Sequence, residues 1–358
     1  MSRPTVDPGV LRDCTRVSPW KSLALCIVIH LAAVGLVWIG GDASGWKLAV
    51  PAAVLIAALQ MHLLILMHEG AHLLLHPDRR LNDLIGDVFC AIPCGLLLKH
   101  YRCIHLNHHR YASSPERDPE VLLYRDQGFH YARQQGWPLV RMLLADVSGI
   151  GAIRFLLSQN RYLAEQRRQG KLKAVERHEM LLMAIAIPLV GLAVRFDFWR
   201  ELLVLWALPQ FTLTFLFLKL HGYGEHTGAT GPTEYERTWV HAFTPVTDFF
   251  LYPIYSGYHL EHHFFPRVPW YHMARFRRAL MSDAEYARRS EPVTVRGYFL
   301  GARSIWNAML LGEGEYRVQQ LAARTDELGG DVITSDTRDE VDEQLALIRP
   351  AGEGASVA

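Results

Sequence analysis

Eighteen of the 358 residues are histidine, and nine of these fall in four patterned clusters. His68 and His72 stand four residues apart. His105, His108 and His109 repeat at spacings of three and four, and His259, His262 and His263 repeat that pattern; His226 stands alone at the end of an apolar run. Residues three and four apart share a helix face, so each cluster can present its imidazoles together. Neutral imidazole is a ligand for iron, copper, nickel or zinc. One zinc ion takes about four ligands, so nine histidines imply two metal ions. The absence of a cysteine–methionine pattern of the blue-copper kind favours iron.

The elements that must carry these residues are membrane helices. Half of the sequence is hydrophobic, and the apolar residues gather in blocks near the ~20 residues that cross a bilayer. The blocks cover residues 22–40, 48–67, 180–194 and 201–220, the third being short and holding Pro188. Turns at 41–47 and 195–200 join them into two expected hairpins. Two weaker stretches, 84–98 and 139–157, are interrupted by Asp, Gly, Pro or Arg and read as interfacial or partly inserted. Of the 37 Lys and Arg, those two turns hold only Lys47, Arg195 and Arg200. The positive-inside rule then places both termini and the segment 76–179 in the cytoplasm. All four histidine clusters come out on that one side, as a shared site requires. The polar start, with Arg3, Arg12 and Arg16, does not read as a cleaved signal.

A net charge of +1 without a basic stripe gives no reason to expect a nucleic-acid partner. The five cysteines form no CxxC pair and read as reduced, structural thiols.

His68-Glu-Gly-Ala-His72, His105-Leu-Asn-His108-His109 and His259-Leu-Glu-His262-His263 follow the order HxxxH, HxxHH, HxxHH. In this the chain resembles the membrane-bound fatty-acid desaturase and hydroxylase superfamily, over roughly residues 20–280. The flanks Gly257-Tyr-His-Leu-Glu-His-His-Phe-Phe-Pro266 and Arg117-Asp-Pro-Glu120 are similar too. The resemblance implies an all-α integral membrane protein whose cytosolic helical cap holds a di-iron site, with iron(II) in the reduced state and O2 as co-substrate. It further implies oxidation of an unactivated C–H bond in a fatty-acyl or lipid-like chain. Desaturation stands first; the alternatives are oxidative decarboxylation of a free fatty acid to a terminal alkene, and hydroxylation or ketolation. No fused electron carrier is visible, so a separate ferredoxin, or a b-type cytochrome with its reductase, is expected to supply electrons. The expected location is the inner membrane if the source is bacterial.

The expected metal ligands are therefore His68, His72, His105, His108, His109, His226, His259, His262 and His263, with His221 and His76 undecided. No catalytic group is expected beyond them. Glu69, Asp118, Glu225 and Glu261 are candidates for orienting the imidazoles from behind. His68-Glu69-Gly-Ala-His72 also fits the H-E-x-x-H of zinc proteases, a remote alternative that leaves the other clusters unused. Residues 1–312 read as one membrane domain and 313–358 as a polar C-terminal tail.

Overall fold

The computed structural model describes residues 3–112, 114, 116–125, 137–173, 177–184, 186–226, 233–242, 244–300 and 304–306. The tail expected over 313–358 lies outside them. The described chain is mostly helical. A short α1 (Pro8–Cys14) precedes α2 (Lys21–Gly40) and α3 (Ala49–Ala71), which pack against each other across a turn where Gly45 takes φ +57°.

Next, α4 (Arg79–Ile85) runs through a π-helical turn at Gly86–Ala91 and a 3₁₀ turn at Ile92–Cys94. The chain then bends by 94° into α5 (Leu98–Tyr111). Gly95 supplies the left-handed φ of +72° that the bend needs. The Asp87 carboxylate accepts from the Leu98 N–H at 2.8 Å, satisfying a donor at the start of α5 that the bend would otherwise strand.

The helices α6 (Pro119–Arg125), α7 (Trp137–Val147), α8 (Ile150–Arg168), α9 (Arg177–Ala184) and α10 (Ala186–Arg195) follow. A long run from Trp199 to His226 comprises α11 (Trp199–Glu201), a π-helical turn, α12 (Leu208–Phe211) and α13 (Leu213–His226). The remainder is α14 (Glu234–Arg237), α15 (Pro245–Phe250), α16 (His259–Phe264), α17 (Trp270–Leu280) and α18 (Ala284–Ser290). Strand β1 (Val240–His241) pairs in parallel with β2 (Thr294–Val295).

Among the described residues, three stretches are long and apolar enough to cross a membrane, Lys21–Ser44, Ala49–Ala71 and Trp199–His226. They contain three of the four expected blocks. The block at 180–194 falls short of that length. The fourth stretch of sufficient apolar length is the bent pair Arg79–Cys94 and Leu98–Tyr111, whose first arm the sequence marks only as interfacial or partly inserted. The bend hides this length from a linear reading, because Pro93 and Gly95 interrupt the pattern without ending the packing.

Helix α3 is the hub, packed against α2, α5, α13 and the π-helical turn. Its last turn carries His68 and His72, and the carbonyls there lack helical partners. Asn82 Nδ2 donates to the Gly70 carbonyl at 3.0 Å. Arg102 on α5 donates to the carbonyls of Ala71 (3.1 Å) and Gly70 (2.7 Å) and pairs with Asp83. One buried guanidinium thus joins the helix of the first histidine cluster to that of the second.

Replacing Arg102 with Met leaves the Ala71 carbonyl without its side-chain donor, takes one donor from the Gly70 carbonyl and breaks the ion pair with Asp83. The expected loss is about 1–3 kcal/mol, read as a lower unfolding temperature in detergent together with a fall in bound metal.

Candidate metal centre

The final turn of α3, the face of α5, the last residue of α13 and the whole of α16 converge. They bring nine histidines into two groups, each with its ligand atoms within 4.8 Å of one another. One group is His68, His72, His105, His109 and His262; the other is His108, His226, His259 and His263. His76 instead accepts from the Asp78 N–H, and His221 bonds Glu225 and the Leu251 carbonyl, so both lie outside the groups.

Each HxxHH cluster is split between the groups rather than sharing one face. His105 and His109, at i and i+4, enter the five-membered group while His108 turns to the other. In α16 the i, i+4 pair His259 and His263 enters the four-membered group while His262 crosses over. The helical screw explains this: i+4 lies about 40° from i, whereas i+3 lies about 60° off on the opposite side. A cluster seated between two centres serves both.

The backs of the rings determine what their fronts offer. His108 Nδ1 donates to Asp118 (3.0 Å), His226 Nδ1 to the Arg237 carbonyl (2.7 Å), His259 Nδ1 to Glu225 (3.0 Å) and His263 Nδ1 to Glu234 (3.3 Å). Carbonyls and ionised carboxylates only accept, so each Nδ1 carries the proton and each neutral Nε2 presents a lone pair. Those lone pairs face one another: His259 Nε2 is 3.0 Å from the Nε2 of both His226 and His263, while His108 Nε2 is buried without a hydrogen-bond partner. Protonating the rings would instead crowd positive charges in a dry site, and burial already holds His259, His262 and His263 below the usual imidazole range; at His108 burial is outweighed by Asp118 and Glu120, which push it up to about 10. A cation between the nitrogens resolves the conflict. In the larger group Nε2 atoms lie 2.8 Å (His72–His105), 3.0 Å (His105–His109 and His109–His262) and 3.1 Å (His68–His262) apart. Nitrogens bound at 2.0–2.1 Å and at right angles lie about 3.0 Å apart, so these spacings fit an ion.

The four carboxylates singled out from sequence divide. Asp118 and Glu225 stand behind ring nitrogens. Glu69 does not: its Oε2 accepts from the Trp270 N–H at 2.9 Å and its other oxygen is 3.9 Å from His68 Nδ1, so it anchors the start of α17. Glu261, fully buried, pairs with Arg277 and accepts from the Tyr286 hydroxyl at 2.6 Å, tying α16 to α17 and α18.

Two carboxylates escaped the sequence reading. Glu234 is the first residue of α14, between Thr233 and Glu236 of its capping box, a signal for a helix start that says nothing of histidine. Burial raises its carboxyl, with Arg237 drawing it back. Glu120 lies between the groups, 3.8 Å from His105 Nδ1 and 3.7 Å from His108 Nδ1, and burial pushes it up to about 7 against the pull of His108.

A cavity of about 120 Å³ adjoins the histidines. Its lining includes His68, His105, His259, His262, Glu120 and Glu225 on the polar side and Leu64, Ile104, Leu123, Phe155 and Leu218 on the apolar side.

With this geometry in view, comparison with known proteins is decisive. Residues 44–293 match the fatty acid desaturase family. The chain belongs to that family. Dihydrorhizobitoxine desaturase of Bradyrhizobium elkanii is similar to it, 26% identical over 255 residues that cover 68% of this chain and 70% of that protein. The matched region contains all nine grouped histidines, and desaturase-like oxidation is the activity class this membership assigns. In a member of this family, His68-Glu69-Gly-Ala-His72 needs no protease reading: its histidines join three others, and Glu69 is engaged by Trp270.

Asp118→Asn and Glu234→Gln, which weaken the acceptors behind His108 and His263, should each lower metal affinity by about 10–100-fold, measured by metal analysis after graded chelation. A second expectation concerns His241, buried against Tyr252 and donating to the Gly224 carbonyl. Burial lowers its pKa to about 3 from the ordinary 6.5, so folding disfavours its charged form. Its contribution is complete above pH 6.5 and is lost as pH falls from there toward 3, with a limiting slope of about 1.4 kcal/mol per pH unit. A His241→Gln variant should show a shallower acid limb in unfolding free energy against pH.

Proposed function

We propose that this protein is a membrane-bound, oxygen-dependent di-iron oxidoreductase that desaturates a fatty-acyl or lipid-like chain. The observation that carries the reading is the pair of converging imidazole groups beside an apolar cavity. His68, His72, His105, His109 and His262 would hold one iron, and His108, His226, His259 and His263 the other. Five nitrogens exceed what tetrahedral zinc takes, which supports iron. Two irons supply the oxygen-dependent removal of hydrogen from an unactivated C–H bond.

The chain's own residues do the rest. Asp118, Glu225, Glu234 and the Arg237 carbonyl keep the Nδ1 protons in place, so that Nε2 lone pairs face the metals. Glu120 stands where it can steady His105 and His108 together. Leu64, Ile104, Leu123 and Phe155 hold a methylene chain against the polar side of the cavity and exclude water. Residues 1–312 act as one membrane domain. In it α2 with α3, and α9–α10 with the Trp199–His226 run, form two hairpins; α5, α6, α14 and α16 build a cytoplasmic cap. A separate ferredoxin, or a b-type cytochrome with its reductase, delivers electrons from the cytoplasmic side, at the inner membrane if the source is bacterial.

The test is expression in a host fed an isotope-labelled fatty acid, with mass spectrometry of lipids and headspace gases. A labelled chain with one new double bond supports the reading. A hydroxylated chain or a volatile, shortened terminal alkene replaces desaturation with a sister oxidation. His108→Ala and His262→Ala, one from each group, should each lose iron and product together; full iron and full product in both would overturn the di-iron assignment.

A further inference from the structure

Tyr124 lines the cavity beside the histidines and also meets Lys219, whose Nζ lies 5.0 Å from the centre of its ring. Lys219 in turn lines a second, larger cavity, of about 680 Å³, between α7, the start of α8 and α13. The desaturation reading makes no use of it.

This lysine is an anomaly within an apolar helix. It is 1% exposed, and its Nζ has no hydrogen-bond partner. Burying a charge without a partner is costly. The rings of Tyr124, Phe215 and Tyr223, at 5.0, 5.5 and 5.9 Å, return only part of that cost. Asp146 faces the same cavity, also 1% exposed, with Oδ2 unbonded. It makes no ion pair with Lys219 in the structure. Gly151 leaves the space this carboxyl occupies, since a Cβ there would collide with it. Burial pushes the Asp146 carboxyl up to about 6, against the pull of Lys219, so near neutrality it is mostly ionised and offsets one of the cations around the cavity.

The rest of the lining completes the pattern. Arg141 and Arg154 add two exposed cations, so positive charge exceeds negative around the cavity. Leu144 and Ile150, 58% and 49% exposed, form an apolar rim beside them. A buried cation without a partner, two cations nearer solvent and an apolar rim together call for an anion attached to a hydrocarbon.

We propose that this cavity binds the oxyanion headgroup of an amphiphile, a carboxylate or a phosphate, with Lys219 innermost, Arg141 and Arg154 outermost and the tail along Leu144 and Ile150. The site is separate from the histidine groups and does not depend on the desaturation reading.

The test is equilibrium binding to the full-length protein in detergent, with three probes: a labelled long-chain fatty acid, a labelled lysophosphatidylglycerol and inorganic phosphate. For at least one amphiphile, a saturable component distinct from any binding in the histidine-side cavity is expected, weakened about tenfold in both Lys219→Met and Arg154→Gln, the worth of one charge-assisted hydrogen bond. Loss confined to the fatty acid names a carboxylate as the ligand, and loss confined to the lysolipid names a phosphate. Competition by inorganic phosphate shows that the headgroup suffices. Because Lys219→Met removes an unpaired buried charge, the ligand-free variant should unfold at or above the wild-type temperature. Arg154→Gln, on the surface, keeps the test valid if the buried substitution fails to fold. Equal binding of every probe by wild type and Arg154→Gln, or no saturable binding by wild type, leaves the cavity to water and overturns the proposal. None of these measurements reads oxidation, so their failure and that of the desaturation reading are distinguishable.

Discussion

Lone pairs that point at one another repel, and this chain gathers nine imidazoles so that they do. The arrangement is held from behind. Carboxylates and a carbonyl take the outward ring protons of the four-membered group, fixing both tautomer and ring plane. Folding thus builds in a repulsion that a cation between the nitrogens would relieve, and a metal bound there would add to the protein's stability.

Holding such a centre requires several helix ends to stop at one place. Helix α3 ends at its histidines because Arg102 and Asn82 take up its terminal carbonyls. Helix α5 begins on the Asp87 carboxylate after a sharp bend and is thereby aimed at the end of α3. Helix α16 is clamped from outside by the pairing of Glu261 with Arg277 and Tyr286. Glu69 lies one residue from a grouped histidine yet serves the start of α17. Buried acids here therefore divide between orienting rings and orienting helices, and adjacency in sequence does not say which.

The buried Lys219 and Asp146 follow neither pattern. A polar group in a dry interior needs a partner, and in the four-membered group each outward ring nitrogen has its acceptor. These two face a cavity instead. The same rule that explains the centre makes that cavity a place for a ligand.

The histidine spacings carried the family and the set of residues that converge, because i, i+3 and i+4 repeats constrain geometry over a single turn of helix. The apolar blocks at 22–40, 48–67 and 201–220 were legible for a similar reason: crossing a bilayer demands length and composition, both of which are local. The bent pair between Arg79 and Tyr111 was not, since a bend is set by what each arm packs against. Nor were the partition of His108 and His262 away from their neighbours and the parts played by Glu120 and Glu234. Glu69 and Glu261 turned away from the rings for a related reason. Each depends on contacts between segments far apart in the chain. A local pattern can say which residues are able to bind; which partner each meets is decided only when the helices come together.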